Sequence, residues 1–468
     1  MLSKSLPPLS SPLRLRFLVL GGCFSLIVSA LLIYGVRNHF LDDYSYNYHY
    51  KSLDNGIFSS SSQYDDRQTC TAPSTAQNNS SLVVNIDSNV TWEFLPTRDA
   101  DNYGLSDAQC QLAFPKLFVE IDKSVALRTS SNRPITWKEL NSRKVGDGMV
   151  RVIVHRGELY IVSFGAMPYT FSRAKATLHS LHRALIAFPN RAELPSVEFI
   201  FTTEDFVSDE PAEEASKGPI FAYSKRDGDH AVWLMPDFGY WSWPEVKVGP
   251  YRDVRRRIAA VDEELAFQDK KRQLLWRGSL ATAPELRSKL LAATRGKHWA
   301  SVKAVDWDDD KNDKYNHNND LLPIEDHCRY MFLAHTEGRS FSGRGKYLHN
   351  CRSVVISHSL IWREAHHSAL IPSGPEANYV EVSRDFADLE AKIEYLLDHP
   401  DVAERIANNS IKTFRDRYLT PAAEACYWRY LIRRYAEVCD FEPELYERDF
   451  WEKEERLRGV PYESWLLG

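Results

Sequence analysis

The order of apolar and polar positions divides the chain into an apolar segment, a polar segment and a long mixed segment. Residues 17–36 form an uncharged, mostly apolar run. As a helix rising about 1.5 Å per residue, this run is long enough to cross the roughly 30 Å hydrocarbon core of a bilayer. Residues 37–100 are rich in Ser, Asp, Asn and Tyr, a composition typical of a flexible stem. From Arg151 onward, short β-branched apolar runs alternate with helical patterns.

The basic residues Lys4, Arg14 and Arg16 precede the apolar run. This charge bias predicts that residues 1–16 form a cytosolic tail and residues 17–36 a transmembrane anchor. A cleaved signal peptide is the alternative, but its apolar region is usually shorter, and no convincing small-x-small cleavage site precedes Tyr34. We therefore expect a single-pass type II protein of the Golgi or ER membrane, with the rest of the chain in the lumen.

Glycosylation signals and cysteines fit a lumenal location. The N-x-S/T triplets are at Asn78, Asn79, Asn89 and Asn408. Apart from Cys23 in the apolar run, six cysteines remain, an even number that can pair fully in an oxidising compartment. Their spacing alone does not specify the pairing, and no C-x-x-C pair indicates a zinc site.

The mixed segment predicts alternating strands and helices. Residues 151–155 and 158–163 are typical of a hairpin, and Ser172 is predicted to cap a helix with Leu178, Leu181 and Leu185 on one face. The other predicted strands are residues 197–201, 219–224, 231–235, 272–276 and 353–357, and the other predicted helices are residues 284–293 and 386–397.

Alternation of this kind predicts an α/β fold with parallel sheets covered on both faces. Two such blocks in series indicate two Rossmann-like domains that face each other across a cleft. We place the first at residues 101–265, the second at residues 266–425, and a C-terminal helical segment at residues 426–468. In such sheets ligands bind beyond the carboxyl ends of the strands, so candidate chemistry is expected there.

Two segments combine glycine, hydroxyl and basic residues in a way that suits an anionic ligand. One follows the strand 272–276, and the other precedes the strand 353–357. A glycine turn exposes backbone N–H groups, and an arginine fork matches phosphate geometry. A simple turn or a surface hairpin with solvated basic residues is the alternative. The candidate phosphate contacts are Arg277, Gly278, Ser279, Arg287, Ser342, Arg344 and Lys346.

Asp205 follows the buried strand 197–201 and is the candidate general base. Its alternative role is that of a helix cap or a turn carboxylate. A hydrolase that uses Glu204 and Asp205 as paired carboxylates is a further alternative. Adjacent residues on a strand point to opposite faces, however, so they make a poor flanking pair.

The aromatic loop of residues 233–244 is a candidate acceptor platform, with Asp237, Phe238 and Trp241 as its contacts. Packing at a domain edge is the alternative. The net charge of −6 gives no indication of nucleic-acid binding. The D-x-D patterns within Asp306–Asp310 continue into a polar run typical of a solvated loop, so we expect no metal and no cofactor.

These segments together resemble the capsule-associated-protein family of glycosyltransferases, which includes the protein O-glucosyltransferases of the secretory pathway. The resemblance covers roughly residues 101–439. Residues 102–107 and 362–367 look like the fungal branch. The other matching stretches are residues 197–205, 276–279, 324–330, 342–348 with Cys351, and 426–428.

The resemblance implies an inverting, metal-independent transferase with the two-domain GT-B architecture. It implies a base at Asp205, donor pyrophosphate contacts around Ser279, Arg287 and Arg344, and a disulfide between Cys328 and Cys351. We therefore expect transfer of xylose or glucose from a UDP-sugar to a glycan, glycolipid or glycoprotein acceptor.

Two departures from the family pattern affect this expectation. Relatives closer to the O-glucosyltransferases carry arginine just before the base, where this chain has Glu204. A neighbouring carboxylate tends to raise the pKa of a base. Some relatives also carry arginine in the segment that here is Leu280–Ala281–Thr282. The rival function is a catalytically inactive lumenal carbohydrate-binding protein on the same fold, although such a protein has no need of a carboxylate at Asp205.

Overall fold

The computed structural model describes residues 92–208, 217–243, 248–305, 321–448 and 455–467. The predicted tail, the anchor and most of the stem lie outside these ranges, as do Asn78, Asn79, Asn89 and the D-x-D run at 306–310. Within the described residues, no helix has both the length and the apolar composition needed to cross a membrane.

The described strands are β1 (Met149–His155), β2 (Glu158–Phe164), β3 (Val197–Thr202), β4 (Ile220–Ala222), β5 (Val232–Leu234), β6 (Ser242–Trp243), β7 (Gly249–Pro250), β8 (Lys271–Gly278), β9 (Ala300–Ala304), β10 (Tyr330–His335), β11 (Val354–His358), β12 (Val380–Val382), β13 (Tyr446–Arg448), β14 (Glu455–Leu457) and β15 (Val460–Pro461). The described α-helices are α1 (Pro96–Asp99), α2 (Asp107–Ala113), α3 (Val119–Ser130), α4 (Trp137–Ser142), α5 (Phe171–Ile186), α6 (Tyr251–Glu264), α7 (Pro284–Thr294), α8 (Gly345–Leu348), α9 (Leu389–Asp398), α10 (Pro400–Thr413), α11 (Pro421–Ala436) and α12 (Tyr462–Leu467).

The first sheet has the strand order β15-β2-β1-β3-β4-β5. The predicted hairpin of β1 and β2 is confirmed, and its turn residues Arg156 and Gly157 both have positive φ, 51° and 77°. Strand β1 is antiparallel to both β2 and β3, whereas β3, β4 and β5 are parallel. The first sheet is therefore mixed: the prediction of parallel strands holds for β3, β4 and β5 but not for β1 and β2, because a two-residue turn can join only antiparallel strands.

Helix α5 covers the first sheet with the apolar face that its sequence predicts. Leu178, Leu181 and Leu185 are all buried. The helix begins at Phe171 after Thr170. Ser172 therefore lies in the first turn and is not the cap, because the helical backbone already includes it.

The second sheet has the order β12-β11-β10-β8-β9, and all its paired strands are parallel, as predicted. Helices α7, α9 and α10 contribute Leu290, Ile393 and Ala407 to the core on this sheet. Helix α9 begins at Leu389, later than predicted, because Phe386 has a positive φ of 61°, which is incompatible with a right-handed helix.

A single hydrophobic cluster runs from the first sheet to the second and includes Phe199, Tyr223, Tyr347 and Val355. The chain then returns to the first sheet. Tyr427 in α11 donates a hydrogen bond of 3.0 Å to the Leu234 carbonyl, and β15 pairs with β2. The predicted boundary between residues 425 and 426 falls inside α11.

Two disulfides link separate parts of the described fold. Cys110 in α2 is bonded to Cys426 in α11, which ties the start of the described fold to its returning helix. Cys328 is bonded to Cys351, the pair that the family resemblance implies. Cys439 is a half-buried free thiol.

The two disulfides should differ in their effect on stability. They close loops with sequence separations of 316 and 23 residues. In the chain-entropy model this corresponds to about 6 and about 3 kcal/mol of unfolding free energy. We expect the Cys110→Ala/Cys426→Ala double variant to unfold at lower urea than the Cys328→Ala/Cys351→Ala variant. Equal losses in the two variants would contradict the chain-entropy account.

Candidate functional site

The candidate site forms where β3 of the first sheet and β8 and β10 of the second sheet end. Fully buried Ser340, which follows β10, donates a hydrogen bond of 2.6 Å from its Oγ to the backbone carbonyl of Asp205. The backbone carbonyl of Asp205 also accepts a hydrogen bond of 3.1 Å from Ser224 Oγ. The loop after β10 is therefore joined directly to the residue that follows β3.

Arg287 in α7 is buried beside the turn that follows β8. Its Nε donates to the Glu337 carbonyl over 3.2 Å, and its Nη1 donates to the Ser279 carbonyl. Its Nη1 also donates to Thr282 Oγ1, the residue three positions after Ser279. These acceptors are neutral, so they orient the guanidinium without compensating its charge.

Arg344 reaches the same turn from the opposite loop. Its Nη1 donates to the backbone carbonyl of Arg277. A Cβ added at Gly278 would lie 3.1 Å from Arg344 Nη2 and 2.7 Å from the Trp276 ring. Because Gly278 has no side chain, the Arg344 guanidinium can lie over the end of β8.

The two guanidinium groups share a desolvated environment. Burial lowers the pKa of Arg287 to about 10, and burial together with the neighbouring Arg287 charge lowers the pKa of Arg344 to about 10. Within the described part of the chain, neither group lies within ion-pair distance of a carboxylate. Two adjacent cations, Arg287 buried and Arg344 half-buried, without a carboxylate partner among the described residues favour binding of an anion.

Asp205 is partly exposed and forms an ion pair with Arg173 of α5, with 2.9 Å between Oδ1 and Nη1. The Arg173 guanidinium lies 4.8 Å from the centre of the Phe238 ring. The neighbouring Glu204 turns elsewhere and accepts a hydrogen bond of 3.4 Å from Tyr169. Glu204 and Asp205 thus have different partners, which is consistent with the expectation that these adjacent residues do not act as the paired carboxylates of a hydrolase.

Sequence reasoning missed Arg173. The family pattern has an arginine directly before the base, and this chain instead places an arginine on the carboxylate from a helix 32 positions earlier. No spacing rule connects residues so far apart, so only the packing of α5 on the first sheet reveals the pair. The Arg173 guanidinium therefore holds the Asp205 carboxylate from α5.

The Arg277 side chain differs from the other predicted phosphate contacts in what it binds. Its guanidinium donates to the Trp276 carbonyl over 2.8 Å and to Ser301 Oγ over 3.1 Å, so its side chain joins β8 to β9. Its backbone carbonyl holds Arg344. Ser279 contributes its carbonyl to Arg287, and Ser342 is half-buried beside Gly343.

Lys346 and Asp237 are bonded to each other. Both side chains are buried, and Nζ lies 2.5 Å from Oδ1. Asp237 Oδ1 also accepts a hydrogen bond of 2.7 Å from the backbone N–H of Gly239. The predictions of Lys346 as a phosphate contact and Asp237 as an acceptor contact need correction, because each charge is already compensated inside the protein.

The aromatic loop predicted to be an acceptor platform packs largely against other parts of the protein. Phe238 is buried beneath Arg173. Trp241 stacks on His179, with 4.7 Å between ring centres, and lies against Arg183. The alternative of packing at a domain edge describes this loop, since its rings contact other side chains of the protein.

One buried group of side chains has the composition of a metal site. Carboxylate and imidazole atoms of Glu364, His366 and His367 lie within 4.8 Å of one another. The backbone N–H of Glu364 donates to His367 Nδ1 over 3.2 Å, so in the neutral imidazole the proton is on Nε2. That Nε2 lies 3.1 Å from Glu364 Oε2, within ion-pair distance.

Asn408 is the one predicted glycosylation site within the described residues. It lies inside α10, is half-buried, and its Oδ1 accepts a hydrogen bond of 2.8 Å from Arg352. A glycan needs an exposed amide nitrogen, so this folded position disfavours glycosylation at Asn408.

A comparison with known protein families gives a match to one family model. The sequence model described as Glycosyl transferase family 90 matches residues 109–450, a range that includes the arginine pair, Asp205 and Ser340.

Individual relatives match a shorter part of the chain than the family model does. The O-glucosyltransferase rumi homolog of Aedes aegypti is 29% identical over 270 residues, which are 54% of this chain and 64% of the relative. Protein O-glucosyltransferase 1 of Homo sapiens is 25% identical over 263 residues, with 53% and 64% covered. O-glucosyltransferase rumi of Drosophila melanogaster is 25% identical over 266 residues, with 54% and 63% covered. The chain thus spans less than two thirds of the length of each of these relatives.

Proposed function

This chain belongs to glycosyl transferase family 90, and from this membership we propose that it transfers a sugar from a UDP-sugar to an acceptor hydroxyl with inversion of configuration. The proposal includes the two-domain GT-B arrangement and a place in the fungal, capsule-associated branch of the family. The donor sugar is glucose or xylose, and the names of the relatives favour glucose. The acceptor is a glycan, glycolipid or glycoprotein.

The pair of uncompensated arginines carries the proposal. Arg287 and Arg344 lie around the turn at Gly278, at the carboxyl end of the second sheet, where ligands of such sheets bind. A nucleoside diphosphate supplies the two negative charges that this pair lacks. Because backbone carbonyls already orient both groups, little reorganisation is needed when the anion binds.

Asp205 completes the reaction. Its carboxylate takes the proton of the acceptor hydroxyl, and the oxygen attacks the anomeric carbon from the face opposite the nucleotide. The bond between that carbon and the β-phosphate oxygen breaks, and UDP leaves with the bonding electrons. General base catalysis of this kind contributes roughly a hundredfold to ten-thousandfold.

The leaving UDP gains negative charge as the bond breaks. Arg344 and Arg287 stabilise that charge from the positions they already occupy, and a preorganised donor of this kind typically contributes about 3–4 kcal/mol. These two cations fill the role that a divalent metal has in other transferases, so we propose that the reaction needs no metal and no cofactor.

The cellular setting is part of the same proposal. Residues 17–36 anchor the protein as a single-pass type II protein of the Golgi or ER membrane, and the catalytic part lies in the lumen. The disulfides Cys110–Cys426 and Cys328–Cys351 support an oxidising compartment.

Arg344→Lys should impair transfer far more than a conservative change would suggest. Lysine keeps the positive charge but loses the planar fork that grips a pyrophosphate with two hydrogen bonds. If the grip tightens as UDP departs, kcat and kcat/KM should fall together by about a hundredfold. Steady-state kinetics of the full-length protein with varied UDP-glucose or UDP-xylose measures both constants.

Arg272→Lys is the matched control, because Arg272 is an exposed arginine near the opposite end of β8. A rise in KM alone would mean that Arg344 grips the ground state and the transition state equally. Unchanged constants for Arg344→Lys would show that this loop does not hold the nucleotide.

Asp205→Asn should lower the rate of transfer at least a hundredfold while UDP binding stays near normal, because the amide cannot accept the hydroxyl proton. Release of UDP with and without acceptor, together with UDP binding by calorimetry, measures the two effects. Glu204→Gln is the control for loss of a neighbouring charge and should retain most of the activity. Near-normal turnover of a folded Asp205→Asn protein would remove Asp205 from the mechanism.

EDTA should leave transfer essentially unchanged, because the arginine pair supplies the positive charge at the leaving group. The assay compares UDP release before and after chelation and after addition of manganese. Activity that disappears on chelation and returns with manganese would refute the metal-independent proposal.

A further inference from the structure

An exposed group of aromatic side chains lies beside the candidate catalytic carboxylate. Phe164, at the end of β2, is 51% exposed, Tyr169 is 65% exposed and Phe171 is 40% exposed. Large apolar side chains grouped at a surface and rimmed by polar residues indicate a binding site. We call these three residues together with Trp465 the aromatic surface.

The C-terminal end of the described chain completes the aromatic surface. Trp465 in α12 lies edge-on to Phe164 and Phe171, with ring centres 6.1 and 6.0 Å apart. Strand β15 pairs with β2, and Tyr462 is hydrogen-bonded to His179 of α5, so this helix is held in place by two elements. Trp465 also lies outside the family match of residues 109–450.

The aromatic surface adjoins the candidate active site. The Tyr169 hydroxyl donates to Glu204 over 3.4 Å, and the Glu204 carboxylate raises the pKa of Tyr169, so the hydroxyl stays protonated. Phe164 pairs with Val150 of β1, which pairs with Phe201 of β3. At about 4.8 Å between strands, Phe164 lies roughly 10 Å from the strand end that leads to Asp205.

We propose that this aromatic surface binds a saccharide chain of the acceptor, whose terminal hydroxyl then reaches Asp205. The inference rests on the proposed function and adds the acceptor's chemistry and place. Aromatic rings offer flat apolar faces to the C–H faces of sugar rings. The Tyr169 hydroxyl, the Glu204 carboxylate and the Lys175 ammonium, which lies 4.7 Å from the Phe171 ring centre, supply hydrogen bonds at the rim for the sugar hydroxyls.

The distances suit an oligosaccharide more than a single sugar. Phe164 lies two strands, roughly 10 Å, from Phe201, and Asp205 follows Phe201 by four residues, so a ligand that spans from Asp205 to Phe164 is longer than one sugar ring. The loop of Asp237, Phe238 and Trp241 does not offer this surface, because its side chains are engaged inside the protein. Because Trp465 lies beyond the family match, the saccharide preference is a property of this chain more than of the family as a whole.

The test compares the full-length protein with Phe164→Ser/Phe171→Ser. Tyr395→Ser in α9 is the matched control, because Tyr395 is an equally exposed aromatic residue on the second sheet's side, at 51%. The acceptor probes are a panel of neutral trisaccharides and the corresponding monosaccharides, with UDP-glucose and UDP-xylose as donors. The readouts are UDP release without acceptor, the KM for each saccharide, and trisaccharide binding by calorimetry in the presence of UDP.

We expect at least one trisaccharide to accelerate UDP release in the unaltered protein and to do so better than its monosaccharide. The Phe164→Ser/Phe171→Ser variant should raise the KM for that trisaccharide about fivefold or more, as expected for the loss of two aromatic contacts. Its acceptor-free UDP release and its donor KM should equal those of the unaltered protein, and Tyr395→Ser should change none of these constants.

An unchanged trisaccharide KM in the double variant would overturn the inference, as would acceleration by polypeptides but by no saccharide in the panel. The proposed function fails separately. If the unaltered protein releases no UDP but binds a trisaccharide that the double variant does not bind, the aromatic surface stands and the transferase proposal falls. If there is neither release nor binding, both are wrong.

Discussion

Two guanidinium groups held against backbone carbonyls, one buried and one half-buried, are the interaction on which the rest of the candidate site depends. Arg287 and Arg344 are oriented by the carbonyls of Ser279, Glu337 and Arg277, which are neutral partners. A carboxylate partner would have made the pair a structural ion pair. Neutral partners leave the charge uncompensated, and burial lowers the pKa of each arginine to about 10.

The position of the arginine pair constrains the other half of the site. The loop that carries Arg344 also carries Ser340, which donates to the backbone of Asp205. Asp205 in turn is held by Arg173 from α5. A displacement of the loop that carries Ser340 and Arg344 would therefore also move Asp205. Helix α11 is joined to the first sheet by the hydrogen bond from Tyr427 to the Leu234 carbonyl and to α2 by the Cys110–Cys426 disulfide.

The candidate residues that sequence reasoning misplaced share one physical feature. Lys346 and Asp237 carry charges of opposite sign, and the fold buries them together. In the sequence they lie 109 positions apart, so each one looked like a free group available to a ligand. Phe238 and Trp241 were misplaced for the same reason, since an aromatic loop has the same composition whether its rings face solvent or the cations of α5. Arg173 was overlooked because nothing local to it signals a partner on β3.

The sequence by itself determined the local elements and the strand ends at which the candidate residues lie. The β1–β2 hairpin, the buried strand β3, the helix α7 after the glycine turn and the parallel second sheet all follow from patterns within a few residues, because side-chain periodicity and turn residues act locally. Only the tertiary structure decided which charges are compensated. It joined Lys346 to Asp237 and Arg173 to Asp205, and it left Arg287 and Arg344 without a carboxylate among the described residues. Charge compensation depends on the distances between charged side chains. For residues that are far apart in the sequence, those distances are set by the tertiary fold.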